Sequence, residues 1–388
     1  MIRCSAFCLS LDREHSRKAA ARAAAIGRVI VGKPTAIETE VGQVMVLPVE
    51  RGEGLPVVHG WSGTESRDGE FSKLSHEGRA VVASRDEAGT RPLYVARSGA
   101  WVSSDHRFFP REEADLLPPG STYNVSSGRA RRARERRASF TGTFEGAGAG
   151  LARLIDDAVK ARVKGMSKVA VAFSGGLDSS IIASCAKRRC KVVACSVHSA
   201  GSRDSTAARG AAELLGVELL QQEVDASAVE RELSQLELPF AASPMDRALW
   251  CIYSLASRAA ADAGAEAILL GQLADELFGG YAKYQRALAE GGPQLAASLM
   301  EADVLGCGMR GFVRDEAACC RWLEPRFPFA DARVLDFGKG LPVDFRVRRG
   351  ERKAVLRLAA RFLEVPHELS RAPKKAAQYS SGIQKLLV

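Results

Sequence analysis

The chain has 388 residues, 26% of them charged, with a formal net charge of +9 and nine cysteines. That length leaves room for two domains with cores of their own, and no uncharged apolar run approaches the ~20 residues that cross a bilayer. The N-terminus lacks a signal-peptide pattern, and an odd number of cysteines without a CxxC pair fits reduced thiols, so the sequence predicts a soluble cytoplasmic protein with no membrane partner.

Residues 1–128 consist of short alternating apolar runs, such as QVMVLPV (43–49) and AVVASRD (80–86), separated by Gly, Pro, Asp and Ser. This predicts a β-rich domain. From 129 to 150 the basic block RARRARERR adjoins the glycine-rich GTFEGAGAG, which reads as a solvated linker and the domain boundary. The block has no interleaved aromatics to stack on bases, which argues against a nucleic-acid partner.

From 151 to 388 strand patterns alternate with helical ones. KVAVAF, VVACSV (192–197), VELLQQ and AILLG (267–271) read as strands; the helices are predicted after Ser180, over 202–216 and from about Asp246 to Asp262. This predicts a doubly wound parallel α/β sheet, whose ligands sit beyond the carboxyl ends of the strands.

The first of those strand ends reads SGGLDSS (174–180). Gly175 and Gly176 allow a tight turn, with Leu177 in the same loop, that aims the first N–H groups of the next helix at an anion. Ser174, Ser179 and Ser180 add hydroxyls, and Asp178 offers Mg²⁺ a hard oxygen. A kinase-type P-loop would carry a lysine here; without one, the loop suits pyrophosphate better than γ-phosphoryl transfer. Cys185, Cys190 and Cys195 follow, and burial as small hydrophobes is favoured for them over a metal cluster. The later loop GQLADELFGGY (271–281) is expected on the same rim, with Asp275 and Glu276 at its centre. Asp178 and Asp275 together would hold Mg²⁺, while backbone near Val197, Leu270 and Gly271 would meet adenine and ribose.

SGGLDSS matches the SGGxDS signature of the N-type ATP pyrophosphatases, and with GQLADELFGGY it resembles the synthetase domain of the asparagine synthetase family. The segment 314–337 is similar to one in that family, with Asp315, Glu324 and Arg326 before a turn made of Pro328, Phe329 and Asp331. GERKAVLR (350–357) resembles the segment with the family's catalytic lysine, which falls on Lys353. The resemblance implies ATP and Mg²⁺ as cofactors, and Lys353, Asp275 and Glu276 as catalytic residues. It implies a small-molecule carboxylate, aspartate first, activated as acyl-AMP with release of pyrophosphate and then attacked by ammonia or another amine.

The front domain resembles the family's Ntn-hydrolase-like glutaminase domain more faintly, through SRDEAGTRPLYVARSGAWVSSD (84–105) and LLPPGSTYNV (116–125). That domain uses a cysteine at position 2, where this chain has Ile2, with Cys4 and Cys8 the nearest thiols. Glutaminase activity is expected to be lost, with ammonia drawn from solution, from a homodimer or from a separate supplying partner. Family asparagine synthetases carry a Glu at the position of Gln272, thought to act as base on the amine. A neutral amide takes no proton, although it orients a nucleophile or bonds an acyl oxygen. The tail RAPKKAAQYSSGIQK (371–385) is similar to that of asparagine synthetase domain-containing proteins, and its Lys374 and Lys375 are candidates for reaching the phosphates. Two alternatives stay open: a tRNA-modifying ATP pyrophosphatase and a non-catalytic ATP-binding homologue.

Overall fold

The computed structural model describes residues 2–10, 35–39, 42–48, 57–62, 69–78, 80–99, 101–109, 113–132, 139–371 and 381–387. Lys374 and Lys375 lie outside them. Two compact units emerge, one of residues 1–135 with 308–313, the other of 136–307 with 314–388.

The first unit is built on one eleven-stranded sheet. Its strands are β1 (Ile2–Ser10), β2 (Thr35–Thr39), β3 (Gly42–Pro48), β4 (Val57–Ser62), β5 (Gly69–Glu77), β6 (Ala80–Arg85), β7 (Tyr94–Ala96), β8 (Trp101–Ser103), β9 (Ala114–Leu116), β10 (Ser121–Asn124) and β11 (Arg129–Arg132). The expected alternation is visible in its core, where Leu74, Val81, Ala83, Val102 and Tyr123 pack from neighbouring strands. β5 and β6 pair antiparallel with Ser72 opposite Arg85, and the turn that follows is tied by a buried carboxylate. Asp86 accepts from the backbone N–H groups of Phe71, Ala88, Gly89, Thr90 and Arg91 and from the Thr90 hydroxyl. Arg85, fully buried, donates to the carbonyls of Gly89, Arg91, Leu117 and Gly308. The RDEAGTR segment is therefore a structural knot, and its arginine also holds the 308–313 stretch in this unit.

The second unit carries a five-stranded parallel sheet. Its strands are β12 (Lys168–Ala172), β13 (Lys191–Ser199), β14 (Glu218–Val224), β15 (Ile268–Leu269) and β16 (Pro325–Arg326), in the spatial order β14-β13-β12-β15-β16. The chain starts in the middle, winds one way to β14 and then returns to the far side of β12. The reversal point lies between β12 and β15, where two loops diverge and leave a crevice. Among the helices that frame the unit are α1 (Phe144–Arg162), α2 (Leu177–Ala186), α3 (Arg203–Leu215), α4 (Pro244–Asp262), α5 (Ala274–Phe278), α6 (Ala282–Gly306) and α7 (Ala354–Phe362). α4 begins at a capping box in which Ser243 and Asp246 bond reciprocally, with Pro244 in the first turn.

The linker expected over 129–150 is corrected at both described ends. Residues 129–132 form β11, the outer strand of the first sheet, where four exposed positions and the Arg131–Glu77 ion pair give that edge its charge. Charge of this kind keeps an edge strand from pairing with another chain. The glycine-rich half opens α1, capped by the Thr143 hydroxyl on the Gly146 N–H at 3.0 Å. Glycines lower helix propensity, which is why the segment reads as a linker; packing overrides this, because Ala147, Leu151, Ile155 and Ala158 form a buried stripe. Gly148 lies so close to α7 that an added Cβ would sit 2.5 Å from Leu358 Cγ. Gly148→Val is expected to overpack this contact and lower stability by about 1–3 kcal/mol in urea unfolding; an unchanged midpoint would refute a close α1–α7 contact.

Candidate active site

β12 delivers the SGG turn to the reversal point. Gly175 adopts φ +70°, and a Cβ there would lie 2.5 Å from the Ala207 carbonyl oxygen, so only glycine fits. α2 follows with Gly176 at its cap and no side chain bonded to its first N–H groups. Those donors are left for an anion, helped by the helix dipole. Ser174 and Asp178 are partly exposed at the turn, while Leu177 is buried. The Ser179 hydroxyl donates to the Gly176 carbonyl at 3.2 Å. Ser180 departs from expectation: its hydroxyl is sealed within the fold, without a partner among the described residues, because the helix turns that position inward.

The second loop leaves β15 at Leu270 and Gly271. Leu270 is fully buried and its N–H donates to the Arg326 carbonyl at 2.9 Å, so the strand ladder consumes that donor. Gly271 lies against the first loop, where a Cβ would come within 3.0 Å of Asp178 Cβ. Val197 stands two residues past the last β12–β13 pair, Ala172 with Cys195, which puts it level with the start of the SGG turn, and it is buried. The segment 271–281, expected as a loop, contains the single helical turn α5, entered through Leu273 at φ +79°.

Lys353 closes the site. Its ammonium lies 2.7 and 2.6 Å from the two Asp178 oxygens and 2.7 Å from Asp275 Oδ1. The lysine side chain is 1% exposed, the two carboxylates 17% and 16%. Burial alone would push the ammonium down, but the paired carboxylates outweigh it and hold it above the ordinary lysine value. Lys353 itself sits at φ +58°, directly before α7. A left-handed non-glycine residue costs about 1–2 kcal/mol and persists where its surroundings demand it. Arg352 donates to the Gly280 carbonyl at 3.0 Å, tying the lysine's segment to the second loop. Gly280 makes the room: a Cβ there would fall 1.8 Å from Asp275 Oδ1 and 2.6 Å from Lys353 Cε. Sequence reasoning passed over Gly280 and Arg352, although GGY and GERK were the visible signals.

Asp178 and Asp275 bring two carboxylates, hard oxygen donors of the kind Mg²⁺ takes, to one rim; the Lys353 ammonium is bonded to both oxygens of Asp178 and to Oδ1 of Asp275, so a metal would use their remaining lone pairs.

Glu276 is set apart from this cluster. It is buried, and the Tyr281 hydroxyl donates to its Oε1 at 2.6 Å. Burial, reinforced by the charge of Asp275, pushes its carboxyl up to about 7. The other family-segment residues form internal ion pairs. Arg326 bonds Glu324 at 3.0 Å; Arg314 joins Asp315 at 2.7 Å to Asp246 at 3.0 Å; Asp331 holds Arg162 at 3.0 Å. Pro328 and Phe329 are buried in the turn. Burial pushes the thiols of Cys185 and Cys195 up to about 12, and that of Cys190 up as well. A cluster needs thiolates, and these three cysteines form no ligand group among the described residues.

The raised Glu276 value gives a pH signature. Between 4.5 and about 7 the native carboxyl keeps a proton that the unfolded chain has lost, so its stabilising share is complete below 4.5 and gone above about 7. Glu276→Gln should match the parent's Tm near pH 4.5 and exceed it by several degrees at pH 8; parallel Tm curves across that window would refute the assignment.

The asparagine synthase family model matches residues 150–306 and 308–386. A Methanocaldococcus jannaschii protein that carries an asparagine synthetase name is 28% identical over 286 residues, covering 63% of this chain and 51% of that protein. The glutamine-hydrolysing asparagine synthetase of Asparagus officinalis is 27% identical over 368 residues, covering 84% and 59%. Asparagine synthetase domain-containing protein 1 of Gallus gallus is 33% identical over 128 residues, covering 31% and 20%. The chain thus spans about half the length of the first two relatives. With a family match over more than half of its residues, this chain belongs to the asparagine synthase family.

Proposed function

We propose that the second unit binds Mg·ATP and activates a small carboxylate as its acyl-AMP, releasing pyrophosphate, after which an amine displaces AMP to give an amide. Aspartate with ammonia is the first substrate pair to test, in keeping with the names of the relatives. The observation that carries this reading is the Lys353 ammonium held between Asp178 and Asp275 at the reversal point of the sheet. The uncapped first turn of α2 would receive the pyrophosphate portion, with Ser174, Gly175, Gly176, Leu177 and Ser179 as the cradle. Asp178 and Asp275 would hold Mg²⁺, which neutralises phosphate charge when bound. Lys353, prepositioned and shielded from water, would stabilise negative charge on the leaving phosphate and at the acyl carbon. Val197, Leu270 and Gly271 would border adenine and ribose through their backbone. Glu276 would act on Asp275 through its charge. We further infer that the first unit is a glutaminase-like domain, supported by its RDEAGTRPLY turn.

Purified protein with ATP, Mg²⁺, ammonium chloride and a panel of carboxylates beginning with aspartate should release pyrophosphate only when the right acid is present. Lys353→Met should cut that release by about 10²–10³-fold while circular dichroism shows the fold retained. ATP binding without pyrophosphate release across the whole panel would overturn the ligase reading. Release stimulated by tRNA would point instead to the RNA-modifying alternative.

A further inference from the structure

β13 outruns its neighbour on one side. Its ladder with β14 continues to Ser199 opposite Val224, whereas the one with β12 ends at Ala172 opposite Cys195, followed by the Phe173 N–H that reaches the Cys195 carbonyl at 2.8 Å. Along a strand the N–H and C=O groups of alternate residues point to the same side. Lys191, whose N–H donates to the Ser167 carbonyl at 3.0 Å, and Cys195 therefore share the β12-facing edge with Val197 and Ser199. β12 has turned into the glycine loop by then, and at Ser199 the far end of the chain takes its place. The Ser381 carbonyl accepts from the Ser199 N–H at 2.8 Å and from the Ser199 hydroxyl at 3.3 Å. Ser381 is buried, its own hydroxyl accepts from the Ile383 N–H at 3.3 Å, and Ile383 is fully buried in a short turn (Ile383–Leu386) that packs on α4. Gly382 passes at φ +77°, so close that a Cβ would lie 2.1 Å from Ser199 Oγ.

Resting on the ligase reading above, we propose that Ser381 and Gly382 are positioning residues for the nucleoside half of ATP. They pin Ser199, and with it the stretch of β13 edge at Val197 on which adenine and ribose would rest. A strand end that has lost a neighbour opens readily, because its N–H groups exchange protein partners for water. One carbonyl that takes both donors of Ser199 stops this two residues beyond Val197. The phosphate half is held by a different contact: Gly175 packs on the Ala207 carbonyl, a full turn into α3, and the N–H groups left for an anion belong to α2. The two halves of the nucleotide site thus have separate supports, and that of the nucleoside half joins residues 182 positions apart.

Isothermal titration of the full chain with Mg·ATP, and with magnesium tripolyphosphate as its base-free counterpart, tests this in the parent, Gly382→Ala, Ser199→Ala and the double variant. Gly382→Ala drives a methyl into the Ser199 hydroxyl and should raise the Kd for ATP by about tenfold, while tripolyphosphate keeps its parent affinity. Ser199→Ala, which loses one of the two bonds to Ser381, should raise the Kd for ATP by about threefold, and it carries the comparison alone should Gly382→Ala not fold. In the double variant the methyl meets no hydroxyl, so ATP should bind better than to Gly382→Ala. A merely structural tail would weaken both ligands alike. Equal ATP affinities across the set, equal losses for ATP and tripolyphosphate, no recovery in the double variant, or no tripolyphosphate binding to the parent would each overturn the proposal. A parent that binds no Mg·ATP would instead overturn the ligase reading on which it rests.

Discussion

One ammonium shared by two carboxylates organises the second unit. Lys353 is almost wholly removed from water, which would be prohibitive for a lone charge; contacts of 2.6 and 2.7 Å to Asp178 and Asp275 make it stable. Each carboxylate would repel the other if left facing it without a cation. The lysine therefore keeps two loops from distant parts of the chain closed on one point. The left-handed backbone at Lys353 and Leu273 shows where strain is held in exchange for that arrangement.

The sheet order explains why the three residues meet. Asp178 follows β12 and Asp275 follows β15, neighbours in space although the chain builds β13 and β14 between them. Parallel strands bring their carboxyl ends to one edge, and reversal of the winding between β12 and β15 parts the flanking loops. Close packing then does the rest. Glycines at 175, 271 and 280 stand where a single Cβ would collide with the Ala207 carbonyl, Asp178 or Asp275. The same rule operates away from the site at Gly148, where a residue chosen for contact reads as one chosen for flexibility.

Much of this was legible in the residues. SGGLDSS after an apolar β run announces a tight turn into an uncapped helix start, because both are local properties, set within a few residues of one another. Asp178, Asp275 and Lys353 were all marked, the first two from their place at strand ends and the third only through family resemblance, since a lone lysine before a helix carries no sign of its partners. Ser180 was marked for the same loop and proved to face inward, because helix phase separates it from its neighbours Asp178 and Ser179. Glu276, adjacent to Asp275, turns to Tyr281 for the same reason. Gln272 stood out as a neutral residue on the rim, but its partner Cys307 lies 35 positions away in sequence numbering and has no local signature.

The amino-acid sequence by itself determined the alternation of strands and helices, the glycine turn before α2 and the identity of the acids at the strand ends, because these depend on periodicity and on short-range backbone geometry. Only the tertiary structure decided which charges touch and which hydroxyls are sealed away. Those outcomes depend on distances between segments remote in sequence, and on the dielectric and packing that exist only once the sheet has closed around them.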